Sequence, residues 1–287
     1  MLAAIKSTCD RNKEFEVIKA DDQFALQLIK KYGDVASNLY RNLPIPAARS
    51  DLARLLLLKE YGGIYLDAAI EVSINLDSLY LAKDNLLTLA VDDRQKNLSL
   101  THVCNGVLGS IQNCDLIEEL IDLIINTLCA KRYNHEVWYS TGPFLLNLLL
   151  RKYDRIDVCR LRGSEFRGSK FQWRSVSGIS NSWVQRQKDG VVSEQFYAEF
   201  GTGDGLLIDA LYKNLLKNES AMKNPWLCNQ LAHRFIVEGK MGLAAETLQK
   251  AILSLGNYEG NTSALESDIK ARLAMANSAL SQQTAVI

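Results

Sequence analysis

The chain has 287 residues, of which 47% are hydrophobic, and its 33 basic side chains match its 33 acidic ones. This length and composition are typical of a globular protein with one large domain or two smaller ones. Balanced charge argues against a nucleic-acid binder that neutralises phosphates over a broad surface. No apolar run approaches the ~18 residues of a membrane span. The six cysteines show no C-x-x-C spacing, which favours reduced thiols and a cytoplasmic location.

The first 150 residues alternate strand-like and helix-like stretches. "FEVIKADD" predicts a short strand, and "DQFALQLIKKYG" predicts a helix that stops at a glycine. "RSDLARLLLLKEYGG" predicts a helix with Ser50 as its N-cap and Gly62 just beyond its end. "IYLDAAIEV", "LLTLAV" and "NGVLGSI" predict further strands, and "CDLIEELIDLIINTLCAKR" and "TGPFLLNLLLRKY" predict helices. Strands that alternate with helices indicate an α/β sheet.

The sequence becomes entirely helix-like from about Leu206 onward. "LCNQLAHRFIVEGKMGLAAETLQKAILSLGNYEG" resembles a tetratricopeptide helix pair, and "SALESDIKARLAMANSAL" predicts a third helix. We therefore predict one domain over residues 1–205 and a helical C-terminal region over residues 206–287. A repeat array needs several copies, and little more than one is present. Two alternatives stay open for this tail: a cap packed on the first domain, or a binding surface for a protein partner.

Two charged residues lie one turn apart on the leucine-rich helix. Asp51 and Arg54 share a helix face, and the leucines between and beyond them are expected on the buried side. One interpretation is an exposed ion pair worth a few tenths of a kcal/mol. The other is a pair that holds a ligand, because the helix leads through two glycines into a strand that carries Asp67.

Alternation along that strand places four side chains on one face, Tyr65, Asp67, Ala69 and Glu71. An aspartate inside an apolar strand is costly to bury unless it meets a cation or hydrogen-bond donors. A divalent metal chelated by a nucleotide diphosphate would meet that need. The alternative is that Asp67 marks the end of the strand, which is also where open α/β sheets bind ligands.

Taken together, "RSDLARLLLLKEYGGIYLDAAI" resembles the central motif of glycosyltransferases with a DxD sugar-binding region. That group includes α-mannosyltransferases, the glucosyltransferase domains of large clostridial toxins, and capsular polysaccharide synthesis proteins. The resemblance implies a GT-A-like nucleotide-sugar-binding domain with a mixed sheet. It also implies transfer of a hexose from a UDP- or GDP-sugar to a glycan or other hydroxyl acceptor, with retained configuration, in polysaccharide or glycan biosynthesis.

The resemblance also implies roles for individual residues. Asp51 and Arg54 match the residues that hold donor-sugar hydroxyls, and Tyr65 and Asp67 match those near the nucleotide and its Mn²⁺ or Mg²⁺. Arg54 and Asp67 are thereby the predicted catalytic residues. "HVCNGVLGS" and "YSTGPFLLNLL" resemble two later pocket segments, which add the predicted donor-binding residues Asn105, Gly106, Thr141 and Gly142.

The motif departs from the family pattern where the second Asp of DxD is Ala69. Glu71, on the same strand face, is the candidate substitute metal ligand. The opening "MLAAIKS" does not resemble the strand with which such domains usually start, so contacts to the base are unassigned. The alternative function is therefore an inactive relative that acts as a scaffold or carbohydrate-binding module through its helical tail. Three histidines, His102, His135 and His233, are far apart in sequence and are expected to be structural.

Overall fold

The computed structural model describes residues 2–67, 70–72, 75–76, 86–90, 103–134, 136–152, 159–162, 166–167, 187, 190–201, 203–258 and 262–284. The helices are α1 (Leu2–Arg11), α2 (Asp22–Ile29), α3 (Gly33–Arg41), α4 (Pro46–Tyr61), α5 (Asp115–Cys129), α6 (Val137–Ser140), α7 (Pro143–Lys152), α8 (Glu194–Phe200), α9 (Leu206–Lys217), α10 (Glu219–Met222), α11 (Pro225–Val237), α12 (Met241–Ser254) and α13 (Ser263–Thr284). The strands are β1 (Gly63–Leu66), β2 (Glu71–Val72), β3 (Leu86–Ala90), β4 (Val103–Ser110), β5 (Cys159–Arg162) and β6 (Phe166–Arg167).

Helix α4 lies in the core of the N-terminal part. It begins at Pro46, where a proline costs no hydrogen bond, and ends before Gly62, whose amide donates to the Leu58 carbonyl at 2.8 Å. The predicted end is confirmed. The predicted N-cap is wrong, because Ser50 lies in the second turn of the helix. The expected buried face is confirmed by four leucines that are at most 2% exposed, Leu52, Leu55, Leu56 and Leu58.

The strands form two sheets. The larger has the order β1-β4-β3-β5, with antiparallel pairing of β4 to both β1 and β3 and parallel pairing of β3 to β5. The smaller pairs β2 with β6, antiparallel. In the larger sheet Tyr65 lies opposite Leu108, and Leu66 lies opposite Val107. This register brings the end of β1 beside the middle of β4, which is where the predicted site residues of these two strands lie.

Two strand predictions need correction. "FEVIKADD" forms no strand, and Val17 and Ile18 are about half exposed. Asp21 instead caps α2 by accepting from the Phe24 amide at 2.9 Å, since a local side-chain acceptor competes with strand pairing. "IYLDAAIEV" is not continuous either: β1 ends at Leu66, and β2 starts at Glu71. Asp67 therefore follows a strand rather than lying within one.

The chain divides into two compact units, residues 1–93, 103–146 and 155–209 in the first and residues 94–102, 147–154 and 210–287 in the second. In the second unit α11 packs on α12, and α12 packs on α13. The turn between α11 and α12 uses Gly239, whose φ is +74°, and the Lys240 amide donates to the Phe235 carbonyl at 2.7 Å. The predicted domain boundary after residue 205 stays a prediction.

Two further observations concern the described part of the chain. None of its helices is both long enough and apolar enough to cross a bilayer. Four of its cysteines are free thiols, Cys9, Cys114, Cys129 and Cys228. Burial raises the pKa of Cys129 to about 11 and that of Cys228 to about 12, so both thiols stay protonated at neutral pH and are poor nucleophiles.

Candidate functional site

Asp51 is a buried carboxylate with a partner at each oxygen. It lies on α4 with 6% of its surface exposed. One oxygen accepts from Asn105 Nδ2 at 2.8 Å and lies 3.0 Å from Arg54 Nη2. The other accepts from the Thr141 hydroxyl at 2.9 Å. Burial raises the pKa of Asp51 to about 6, although Arg54 and both hydrogen bonds oppose that rise. The interpretation of an exposed ion pair is therefore wrong.

Arg54 joins helix α4 to strands β1 and β4. Its Nε donates to the Ser50 carbonyl at 3.2 Å, and its Nη1 donates to the Asn105 carbonyl. Its Nη2 bonds the Ser50 hydroxyl at 3.4 Å, and the guanidinium carbon lies 4.8 Å from the centre of the Tyr65 ring. Such a planar fork can hold several acceptors at once, which a lysine cannot do. Since the side chain is only 6% exposed, its orientation is fixed by these contacts.

Asp67 is the more accessible of the two carboxylates. Its amide donates to the Gly106 carbonyl at 2.9 Å, and its own carbonyl accepts from the Ile70 amide at 2.8 Å, so it lies in a turn directly after β1. The side chain is 43% exposed. Its Oδ1 accepts from the Tyr65 hydroxyl at 2.9 Å and lies 3.5 Å from Arg54 Nη2. The alternative of a strand-end aspartate is therefore the correct one.

The Tyr65 hydroxyl remains a neutral donor. Burial raises its pKa to about 12; the nearby Asp67 carboxylate adds to that rise, and Arg54 opposes it. Its oxygen also lies 3.3 Å from the Ser50 hydroxyl. Ser50, which the sequence analysis predicted to be a helix cap, is thus a member of this cluster. The sequence contained a signal for this role: Ser50 precedes Arg54 by four residues, and residues at that spacing share a helix face.

Gly106 leaves room for the Asp67 carboxylate. A Cβ atom at this position would lie 2.9 Å from Asp67 Oδ2 and 3.4 Å from the Ile70 side chain. The same test at Gly142 places a Cβ 3.0 Å from backbone atoms of Trp138 and Val137. Gly106 therefore matters for the placement of a charged side chain, whereas Gly142 matters for the close packing of the turn between α6 and α7.

Substitution of Gly106 by alanine should affect the site more than the fold. Because the nearest obstacle is the end of a flexible side chain, we expect Asp67 to rotate away, with a loss of unfolding free energy of about 1 kcal/mol or less. Urea unfolding combined with binding of the nucleotide-sugar donor that the sequence predicts checks this, and we expect the binding loss to be the larger effect. Gly242→Ala, which has no atom within 4 Å of the new Cβ, is the control. Normal donor binding by a folded Gly106→Ala variant would contradict the expectation.

The structure thus brings most of the predicted residues together. Asp51, Arg54, Tyr65, Asp67 and Asn105 contact one another directly or through one shared partner, and Thr141 joins them from the start of the α6–α7 turn. Two carboxylates face one guanidinium, so the cluster offers acceptors for hydroxyl donors or for a cation. Ala69, His102, His135 and the Glu71 side chain lie outside the described residues.

The described residues fit a divalent metal only in part. Among them, no group of three or more His, Cys, Asp or Glu side chains is placed to hold a metal ion. Asp67 is the partly exposed carboxylate, and one of its oxygens already accepts from Tyr65. Mg²⁺ is commonly held by one or two carboxylates together with substrate phosphates and water. This donor set suits an ion bound mainly by a diphosphate.

Comparison with known proteins gives a family match for the N-terminal part of the chain. Residues 1–86 match the family model described as a glycosyltransferase sugar-binding region containing a DXD motif. This part of the chain is thus similar to that glycosyltransferase family. The matched range includes Asp51, Arg54, Tyr65 and Asp67, whereas Asn105 and Thr141 come from beyond it.

Curated relatives of this chain come from two yeasts. Mannosyl phosphorylinositol ceramide synthase SUR1 of Saccharomyces cerevisiae is 24% identical over 154 residues, which cover 51% of this chain and 36% of the relative. Mannosyl phosphorylinositol ceramide synthase CSH1 of the same yeast is 26% identical, with 51% and 37% covered. Inositol phosphoceramide mannosyltransferase 3 of Schizosaccharomyces pombe is 24% identical, with 52% and 39% covered. The matches thus span little more than a third of each relative's length. No solved structure gives a significant match.

Proposed function

We propose that this protein is a glycosyltransferase that moves a hexose from a nucleoside-diphosphate sugar to a hydroxyl group of an acceptor. The proposal includes a GT-A-like arrangement of its N-terminal part and retention of configuration at the anomeric carbon. The observation that carries it is the buried contact of Asp51 with Arg54 beside the partly exposed Asp67. The match of residues 1–86 to the DXD family model supports the same reaction class.

The chemistry of the cluster suits a sugar. Sugar hydroxyls are donors and acceptors at once, and they are well matched by carboxylate oxygens and guanidinium N–H groups. Asp51 and Arg54 are held rigidly by their mutual contact and by Asn105 and Thr141, so they lose little freedom when a donor binds. We assign to Asp51 and Arg54 the orientation of the hexose, and to Tyr65 and Asp67 the region of the diphosphate.

In the transfer step the bond between the anomeric carbon and the diphosphate oxygen breaks, and a bond to the acceptor oxygen forms. The acceptor proton leaves toward the departing diphosphate, on whose side the acceptor approaches. The protein's part is to hold the two reactants in line and to stabilise the charge that develops. Arg54 is the buried cation of the cluster and contributes to that stabilisation.

A divalent ion, Mn²⁺ or Mg²⁺, would be held by the diphosphate with Asp67 as its protein ligand. When bound, it would neutralise charge on the leaving diphosphate. The family position that would supply a second carboxylate is Ala69, so we expect weaker metal dependence than two carboxylates would give. Glu71 remains the candidate second ligand.

The relatives make mannose the first sugar to test, because their names specify mannosyl transfer. The same names make inositol phosphoceramide the first acceptor to test. Since the matches cover little more than a third of those proteins, we extend neither sugar nor acceptor beyond this proposal. Polysaccharide or glycan biosynthesis and a cytoplasmic location, both predicted from the sequence, are kept as part of the proposal.

A second function is a protein that binds a nucleotide sugar or a glycan without transferring it. Ala69 favours it, because loss of a metal-ligating position can abolish turnover while the sugar contacts remain. The two proposals differ in one measurable respect, which is turnover of a bound donor.

Donor binding by the full chain tests the proposed function. We expect GDP-mannose or a UDP-hexose to raise the melting temperature, since a ligand at 100 times its Kd stabilises the native state by about 2.7 kcal/mol. Mn²⁺ or Mg²⁺ should increase the shift, and Asp67→Asn should remove that increase. Asp10→Asn, at an exposed position on α1, is the control.

Three results separate the proposals. Slow release of nucleotide from the bound donor, abolished by Asp67→Asn, supports the transferase. Binding without any release supports the second function. If neither a nucleotide sugar nor a glycan shifts the melting temperature, with or without metal, both are wrong.

A further inference from the structure

We propose that Gln187 and Asn134 are positioning residues that hold the Thr141 hydroxyl against Asp51. As far as donor binding is concerned, this inference rests on the proposed function. It assigns a role at the site to a segment that lies well over a hundred residues beyond α4 and that the family motif does not include. The residues of this segment, Gln187 and 190–193, are called the clip below.

The Val137 peptide links the clip to Thr141. Its carbonyl accepts from the Thr141 amide at 3.0 Å and the Gly142 amide at 2.8 Å, and the Thr141 hydroxyl lies 3.3 Å from the same oxygen. Its amide donates to Gln187 Oε1 at 3.0 Å. Helix α6 has four residues, which is too short to be stable by itself. The direction of the Thr141 hydroxyl therefore depends on what holds this turn.

Asn134 holds the clip in place. Its side-chain oxygen accepts from the amides of Val191 and Val192, both at 2.6 Å, and its Nδ2 donates to the Val192 carbonyl at 2.9 Å. The Gly190 amide donates to the Gln187 carbonyl at 2.9 Å, which closes a turn directly before these contacts. A Cβ at Gly190 would lie 2.4 Å from Asn134 Nδ2, so the backbone of the clip packs directly on this side chain.

The clip also contacts the chain that leads into α4. The Ser193 amide donates to the Asn42 carbonyl at 3.1 Å, and the Ser193 hydroxyl bonds Asn42 Oδ1 at 2.9 Å. Asn42 follows α3 and lies four residues before Pro46, where α4 begins. The clip thus contacts both the Val137 peptide, which bonds Thr141, and the chain just before α4, the helix that carries Asp51. A buried carboxylate that relies on one hydroxyl at one oxygen is sensitive to that position.

A double-mutant cycle tests whether Gln187 acts through Thr141. Gln187→Ala should weaken donor affinity about three- to tenfold, the loss expected for one hydrogen bond. In a Thr141→Val background the same change should have less than about a twofold further effect, because residues in one network are not additive. Gln187→Glu keeps the acceptor oxygen and should restore most of the affinity. Gln195→Ala, at an exposed position on α8, is the control.

An equal effect of Gln187→Ala with and without the Thr141 hydroxyl would overturn the inference. A second measurement does not depend on the donor: Gln187→Ala should speed hydrogen exchange at the Thr141 and Gly142 amides at least about tenfold while amides within α5 are unchanged. If no nucleotide sugar binds the wild-type chain, the proposed function fails, and this exchange result alone decides the inference. Unchanged exchange at both amides would then overturn it.

Discussion

Arg54→Lys is expected to lower the rate of hexose transfer by about 100- to 1,000-fold, the usual loss when one preorganised charge-stabilising donor is removed. The guanidinium contacts the Ser50 carbonyl, the Asn105 carbonyl and both carboxylates of the cluster. A lysine ammonium keeps the charge but cannot span these acceptors. We also expect a loss of unfolding free energy of about 1–3 kcal/mol, because buried acceptors lose their donor.

The control for this prediction is Arg41→Lys, an exposed arginine whose side chain bonds Asn38 on the same helix at 3.3 Å. We expect that variant to bind and turn over the donor as the wild type does. Initial rates are to be compared at equal folded fraction, measured by circular dichroism, so that instability is not mistaken for lost chemistry. A folded Arg54→Lys variant with wild-type turnover would exclude Arg54 from the reaction.

The second large effect is a pH dependence of stability that originates at Asp51. The pKa of this carboxyl rises from 3.8 to about 6 on folding, mainly because of burial. Between these pH values the folded state binds more protons than the unfolded state, so stability falls as the pH rises through the window. At 1.36 kcal/mol per pKa unit, and with the unfolded carboxyl already more than half ionised at pH 4, the ionised side chain costs about 2 kcal/mol at pH 7 relative to pH 4. Urea unfolding at both pH values measures this cost.

Asp51→Asn removes the titration, so the wild-type stability minus that of the variant should fall by about 2 kcal/mol between pH 4 and pH 7. Asp34→Asn, at an exposed position on α3, should leave the profile unchanged. Donor affinity should follow the opposite trend and rise through pH 6, because the ionised carboxylate is the better acceptor for sugar hydroxyls. A difference that does not vary with pH would show that Asp51 titrates in the folded chain as it does in the unfolded one.

Local patterns were sufficient for several parts of the fold. The helix signals around the leucines of α4 and the stop at Gly62 correspond to observed features, as do α5 and α7. These elements are long and have a clear period, so their own residues decide them. The short strand predicted at "FEVIKADD" failed, because a strand exists only where another strand pairs with it, and that pairing is not written in the segment itself.

The candidate site was likewise predictable from the sequence in part. Residue types and spacing drew attention to Asp51, Arg54 and Asp67, since an i,i+3 pair and a strand-end carboxylate are visible in a linear chain. The family resemblance added Tyr65, Asn105 and Thr141 as predicted site residues. What the sequence could not give is the burial that raises the pKa of Asp51, or the choice of Asn105 and Thr141 as its partners. Desolvation and hydrogen bonding depend on which distant segments pack against the helix, and only the tertiary structure fixes that packing.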